Sequence, residues 1–318
     1  MAGGSALANI SDVGLLKRLS KSAGWLEALV ADVLNERCGQ RIESHRSLVL
    51  IDGPTVQGPS SVGTDWVLHT RYTPGLGFTG VKITDCHGGE TLMRHTVRPG
   101  DIVVADRVYG RIKGLSHVIN QGADFIVRAG WRALPLRDAQ GGKLDLFTLL
   151  EGLPAGQAVD LPVHVMVDGH HQPLRLVVRA KDDAATVAEG RRSARKAHKN
   201  KRKADPRTAV AARYMIVATS LAAKDYPATA VLDLYGARWQ IELAFKRLKS
   251  LLHIDRLRAT RDLAKTWLFA HVLFALLIDN MTRQVLEISP CASGNERPQP
   301  ALADLDMAPS GTANGAGS

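Results

Sequence analysis

SLVLID, residues 47–52, is a short apolar run that ends in a carboxylate, and DIVVAD, residues 101–106, repeats the arrangement. Aliphatic runs of this length, bounded by Gly/Pro-rich sequence such as GPTVQGPSS after Asp52, predict buried strands. Asp52 and Asp106 therefore stand at equivalent strand ends, where loops collect functional groups, and they converge if the two strands are neighbours. Taken alone, each Asp also reads as a turn or capping residue.

Outward from these runs, Trp66–Tyr72 and Phe78–Ile83 predict strands, with Gly75 and Gly77 turning the chain between them. His87-Gly88-Gly89 predicts another turn, followed by a strand over Glu90–Val97, a helix over Ile112–Gln121 and a strand over Phe125–Arg128. Upstream, SDVGLLKRLSKSAGWLEALVADVLNERC predicts one or two helices capped at Ser11 or Asp12. Between Gly130 and Ala212, AVDLPVHVMVDG and QPLRLVVRAK alternate like strands and lead into the basic run RRSARKAHKNKRKADPR. Tyr214–Thr219 returns to strand, the chain beyond Thr229 is helical to about Val285, and the tail after Ser289 is expected to be disordered. The expected fold class is α/β: a mixed sheet with flanking helices, interrupted by a β-rich insertion. Its parts are a helical region (1–45), a first core part (46–129), the insertion with its basic arm (130–212), a second core part (213–288) and the tail (289–318).

Composition narrows the class of function. The 318 residues carry 41 Lys and Arg against 31 Asp and Glu, a formal charge of +10 that favours a polyanionic partner. Cys38, Cys86 and Cys291 form no CxxC pair, so neither a zinc knuckle nor a disulfide framework is indicated, and a reducing cytoplasm fits. The apolar run Trp267–Ile278 covers 12 residues, too few to span a bilayer, and MAGGSALANI is not a secretory signal.

A third carboxylate lies in YGARWQIELAFKRLKS, residues 235–250. Read as one helix, Tyr235, Arg238, Glu242 and Lys249 share a sector of roughly 60 degrees, beside an apolar stripe of Ile241, Ala244, Phe245, Leu248 and Leu252. An ordinary amphipathic helix with Glu242 paired to Lys246 fits the same pattern.

The spacing Tyr235, Arg238, Glu242, Lys249 resembles the Tyr-Arg-Glu-Lys signature of bacterial insertion-sequence transposases of the DDE type. LVLIDGPTVQGP, TDWVLH and VVADRVYG resemble that family's strands around its first and second aspartates, and residues 11–280 resemble it in order. The resemblance implies a ribonuclease-H-like core in which Asp52, Asp106 and Glu242 are catalytic and hold two Mg²⁺ or Mn²⁺ ions about 4 Å apart. It also implies DNA backbone contacts by Tyr235, Arg238 and Lys249, and a β-rich insertion between Asp106 and Glu242, which are 136 positions apart. The implied substrate is double-stranded DNA at terminal inverted repeats together with target DNA. The expected assembly is a homodimeric synaptic complex in the bacterial cytoplasm and nucleoid, with no membrane partner. The family carries a further helical segment ahead of the region matching residues 1–20, so an N-terminal truncation is expected here. An inactive DNA-binding remnant and a metal-dependent nuclease of the same fold are the alternatives.

Other residues have two readings. His69, His87 and His95 lack metal-ligand spacing and read as packing or hydrogen-bonding groups. Trp239 suits core or rim packing, or stacking on an extruded base. Arg191–Arg207, with nine Arg or Lys and only Asp205 as an acid, suits phosphate contact or a solvated arm.

Overall fold

The computed structural model describes residues 10–39, 46–151, 153, 156–167, 169–199, 205–259 and 261–288. The expectations for residues 1–9, for Lys201–Lys203 in the basic arm and for the tail lie outside the described residues. By packing, the chain forms two compact units, one ending at Leu277 and one beginning at Ile278.

The first unit opens with α1 (Asp12–Lys21), where the Ser11 hydroxyl accepts from the Gly14 amide at 3.2 Å as an N-cap, and α2 (Ala23–Gly39), which buries Val30 and Leu34. Then come β1 (Ser47–Asp52), β2 (Thr55–Val56), β3 (Trp66–Thr73), β4 (Gly77–Asp85) and β5 (Asp101–Ala105). Gly75 and Gly77 adopt φ of 81° and 74°, a left-handed region open to glycine, and so make the tight β3–β4 turn. α3 (Ile112–Asn120), β6 (Asp124–Arg128), α4 (Leu146–Leu150), β7 (Ala158–Val167) and β8 (His170–Ala180) follow. The last elements are α5 (Asp183–Lys199), α6 (Pro206–Ala212), β9 (Tyr214–Thr219), α7 (Ala228–Gly236), α8 (Trp239–Leu252) and α9 (Arg261–Ile288).

Among the described residues, nine strands join one mixed sheet. β1, β5 and β6 run parallel, β3 pairs antiparallel with β1, β2 and β4, and β9, β8 and β7 continue antiparallel from β6. The hairpin β7–β8 therefore extends the same sheet. Helices cover both faces: Leu48, Leu50, Ile102, Val104 and Ile126 pack with α2, α7, α8 and α9, while Val49, Ile51, Val103, Ala105 and Phe125 pack with α3 and α4. This strict alternation is the period-two rule of a strand buried on both sides. A mixed sheet with flanking helices is consistent with the ribonuclease-H-like expectation.

Three expectations need correction. Glu90–Val97 is not a strand: Thr91 caps a short 3₁₀ turn at Leu92–Arg94, accepting from the Met93 amide at 3.4 Å, and such local bonding competes with strand pairing. Residues 130–212 are not mostly β: α4, α5 and α6 cover more of the stretch than β7 and β8, and the basic run begins as helix within α5, as its Ala, Arg and Lys content favours. The apolar part of α9 is longer than Trp267–Ile278: Leu263–Gln284 is long and apolar enough to cross a membrane by length and composition. Ala264, Leu268, Phe269, Val272 and Leu276 on that helix belong to the core. In the second unit the described end of α9 carries an Arg283–Asp279 ion pair at 3.2 Å.

Two buried arginines tie elements together. Arg37, 2% exposed, donates to the carbonyls of Phe78 at 3.2 Å and Leu276 at 2.8 Å, joining α2 to β4 and α9. Arg71 meets Asp101 at 3.2 Å in the sheet interior and donates to the Thr79 hydroxyl at 2.9 Å, while Asp101 accepts from the Arg98 amide at 2.8 Å. Removing one partner strands the other charge in the core. Asp101→Ala is expected to cost about 3–5 kcal/mol in a urea melt; a loss below about 1 kcal/mol would mean that water already screens Arg71.

Candidate active site

The parallel register of β1 and β5 runs from Ser47 opposite Asp101 to Ile51 opposite Ala105, so Asp52 and Asp106 are the next step on adjacent strands. Neighbouring strands lie about 4.8 Å apart. Both aspartates continue the even-numbered series of Leu48, Leu50, Ile102 and Val104, which faces the helical layer containing α8. Local bonds fix Asp52: its carbonyl accepts from the Thr70 hydroxyl at 3.0 Å, and its Oδ1 accepts from the Gly53 amide at 2.9 Å. Gln57 in the following loop bonds the backbone of Asp255 and Leu257, at 3.1 and 2.9 Å, and so ties that loop to the segment after α8.

α8 packs on β1; its Ile241 is fully buried, and its Phe245 ring stands 5.5 Å from that of Phe78 on β4. Glu242, one position past Ile241, is exposed, and its charge acts on Asp52. Its partner is Arg238 at 2.6 Å, rather than the Lys246 that an isolated helix suggests.

The supposed single helix over 235–250 is in fact two. α7 ends at Gly236, a poor helix former, and the Arg238 and Gln240 amides bond three residues back, to Tyr235 and Ala237, in a 3₁₀-like junction. Tyr235 thus lies on α7, 8% exposed, with the Arg238 guanidinium 5.9 Å from its ring centre. Lys249 is exposed in the last turn of α8, about 10 Å along the axis from Glu242. Trp239 is 55% exposed, which removes core packing as its role.

Burial and neighbouring charges shift the ionisation of these groups. Burial raises the Asp52 carboxyl above its usual range, and the Asp106 and Glu242 charges push the same way against Arg238 and the Gly53 amide. Burial likewise raises Glu90, with Asp52 and Asp106 adding to it. Burial also pushes the Tyr109 hydroxyl up, reinforced by Glu90, Asp52 and Asp106. Oδ1 of Asp106 is buried without a hydrogen-bond partner. Among the described residues, no three His, Cys, Asp or Glu side chains stand together as a metal cage. The donor set nonetheless suits a hard cation, since it offers carboxylate oxygens, one of them orphaned, whose mutual repulsion a divalent ion would relieve.

Glu90 and Tyr109 are the members that strand and helix periodicity did not single out. A lone Glu after a Gly-Gly turn carries no periodic signal, and Tyr109 was visible only as the aromatic following Asp106. His69 and His95 are packing groups, as expected. Their rings lie 6.3 Å apart, His69 Nε2 meets the Thr84 hydroxyl at 2.8 Å, and burial lowers them to about 4 and about 3, so both are neutral at pH 7.

Comparison with known proteins identifies the family. The family described as Transposase DDE domain matches residues 43–278. The transposase for insertion sequence element IS421 of Escherichia coli and the InsL protein for element IS186A of E. coli K12 are each 36% identical over 301 residues, covering 92% of this chain and 81% of theirs. The transposase for element IS231F of Bacillus thuringiensis subsp. israelensis is 23% identical over 294 residues, covering 80% of this chain and 61% of its own. The two strand-end aspartates lie inside a match that spans most of the chain, and the chain belongs to the DDE-type transposase family of bacterial insertion sequences.

Proposed function

We propose that this chain cleaves phosphodiester bonds at the ends of an insertion sequence and joins those ends to target DNA, with Asp52, Asp106 and Glu242 as its catalytic carboxylates. The observation that carries the reading is the placement of Asp52 and Asp106 on one face at adjacent strand ends, with Glu242 near enough for its charge to act on Asp52. The three residues would hold Mg²⁺ or Mn²⁺, and two such ions when bound activate the attacking oxygen and stabilise the departing one.

The chain's own part is positioning and charge. β1 and β5 present two acids at one level, and the apolar stripe of α8 holds the third against them. Arg238 partly neutralises the cluster through Glu242 and gives a phosphate-binding fork beside it. In this reading Tyr235 orients Arg238 through its ring and hydroxyl, and Tyr235, Arg238 and Lys249 face the DNA backbone. In the same reading the stretch 130–212, with its β7–β8 hairpin and helices α4, α5 and α6, is an insertion between two halves of a ribonuclease-H-like core, and the working assembly is a homodimer on paired DNA ends.

Asp52→Asn, Asp106→Asn and Glu242→Gln are each expected to abolish Mn²⁺-dependent cleavage and joining of pre-nicked element ends while circular dichroism stays unchanged. Near-parent activity in any folded variant removes that residue from the triad. Arg238→Ala and Lys249→Ala are expected to weaken binding to unrelated duplexes alike and to lower the salt slope by about 1 each. An unaltered slope would place that side chain off the DNA.

The raised Asp52 carboxyl has a pH consequence. The folded state holds this proton more tightly than the unfolded chain, so the penalty is absent below the unfolded pKa and grows as pH rises through the folded one. Without divalent ions, Asp52→Asn should therefore melt above the parent at pH 7.5, with the difference shrinking on acidification. A difference independent of pH would show that Asp52 is not under this strain.

A further inference from the structure

Glu90 has no task in the three-carboxylate reading, yet its place is tightly determined. The fully buried Leu92 anchors the chain just after it, and just before it the Gly89 carbonyl accepts from Arg94 Nε at 2.9 Å. Glu90 Oε1 and the Tyr109 hydroxyl lie 2.7 and 2.9 Å from the point where a Cβ on Gly53 would stand. A side chain at residue 53 would displace these two groups from the end of β1.

Tyr109 is 1% exposed, and its hydroxyl has no hydrogen-bond partner. The charges that act on it are those of Glu90, Asp52 and Asp106. Behind it the His95 ring stands edge-on at 6.2 Å. A buried hydroxyl left unpaired costs about 1–3 kcal/mol, so an unpaired hydroxyl aimed at a cluster of acids points to a polar occupant. Tyr109 packs in the core layer of Val49 and Ile51, across the sheet from α8, and Glu90 meets it at Gly53, so the pair approaches the end of β1 from that layer.

We propose that Glu90 and Tyr109 form a second wall of the site that holds the water shell of a divalent cation bound by Asp52 and Asp106. Bound waters donate to the Glu90 carboxylate and to the Tyr109 oxygen, and the Tyr109 O–H keeps its proton and donates a hydrogen bond to a carboxylate oxygen. Both are positioning residues acting through water, and the proposal rests on the reading of Asp52 and Asp106 as cation ligands.

The test is Mn²⁺ titration of the full chain by electron paramagnetic resonance, without DNA, paired with melting curves in the absence of divalent ions at pH 7.5. Glu90→Gln is expected to weaken Mn²⁺ binding by about 10–100-fold, the range for groups that support a metal's ligands. Tyr109→Phe is expected to weaken it by less. Glu90→Gln should melt at or above the parent temperature, since it removes one of several crowded acids. If Asp106→Asn loses Mn²⁺ and Glu90→Gln binds like the parent, the second wall is wrong and the carboxylate reading stands. A cation-free melting temperature well below the parent's in Glu90→Gln would make Glu90 a structural residue and also overturn the proposal. If neither variant alters Mn²⁺ binding, the underlying carboxylate reading fails and the second wall fails with it.

Discussion

The parallel pairing of β1 with β5 is the constraint on which the rest of the site depends. A parallel pair in this register puts equivalent residues side by side, and the period of two sends them to the same face. A slip of one residue would turn Asp52 away from Asp106 and at the same time drive Leu48 and Leu50 out of one core layer into the other. The apolar core therefore enforces the spacing of the acids. Parallel neighbours need a crossover, and the chain between β1 and β5 supplies β2, β3, β4 and the turn that carries Glu90.

The two ends of β5 hold their acids in opposite circumstances, one matched and one not. Asp101 opens the strand, fully buried, and is matched by Arg71 and the Arg98 amide. Asp106 follows the strand's far end with Oδ1 unpartnered and further acids nearby. DIVVAD has an aspartate at each end, and nothing within those six letters separates the two roles. Partners far away in sequence do so: Arg71 lies 30 positions before Asp101, and the groups around Asp106 come from β1, the Glu90 loop and the α7–α8 junction.

This division explains how much the sequence disclosed. Both strand-end aspartates, the β3–β4 turn at Gly75 and Gly77, and the apolar stripe of α8 were readable because each is a periodic or local signal. The break between α7 and α8 was not, because αR dihedrals persist through Ala237 and Arg238 and only the hydrogen-bond step changes from four residues to three. The Arg238–Glu242 pair was hidden for a related reason. Glu242 lies four residues from both Arg238 and Lys246, and helix geometry alone does not choose between them. Glu90 had no local signal, since its meaning comes from Gly53 and Tyr109, which reach it only through the tertiary fold.

The choice of Arg238 over Lys246 follows from the field at the strand ends. Arg238 is drawn by Glu242, Asp106 and Asp52 together, and its charged form is favoured there although burial opposes it. Lys246, a turn further along α8, is exposed. A guanidinium can satisfy one carboxylate with one edge and keep other donors for another group, which an ammonium does with less geometric definition. Arg238 thus moderates the repulsion among acids in the cation-free protein.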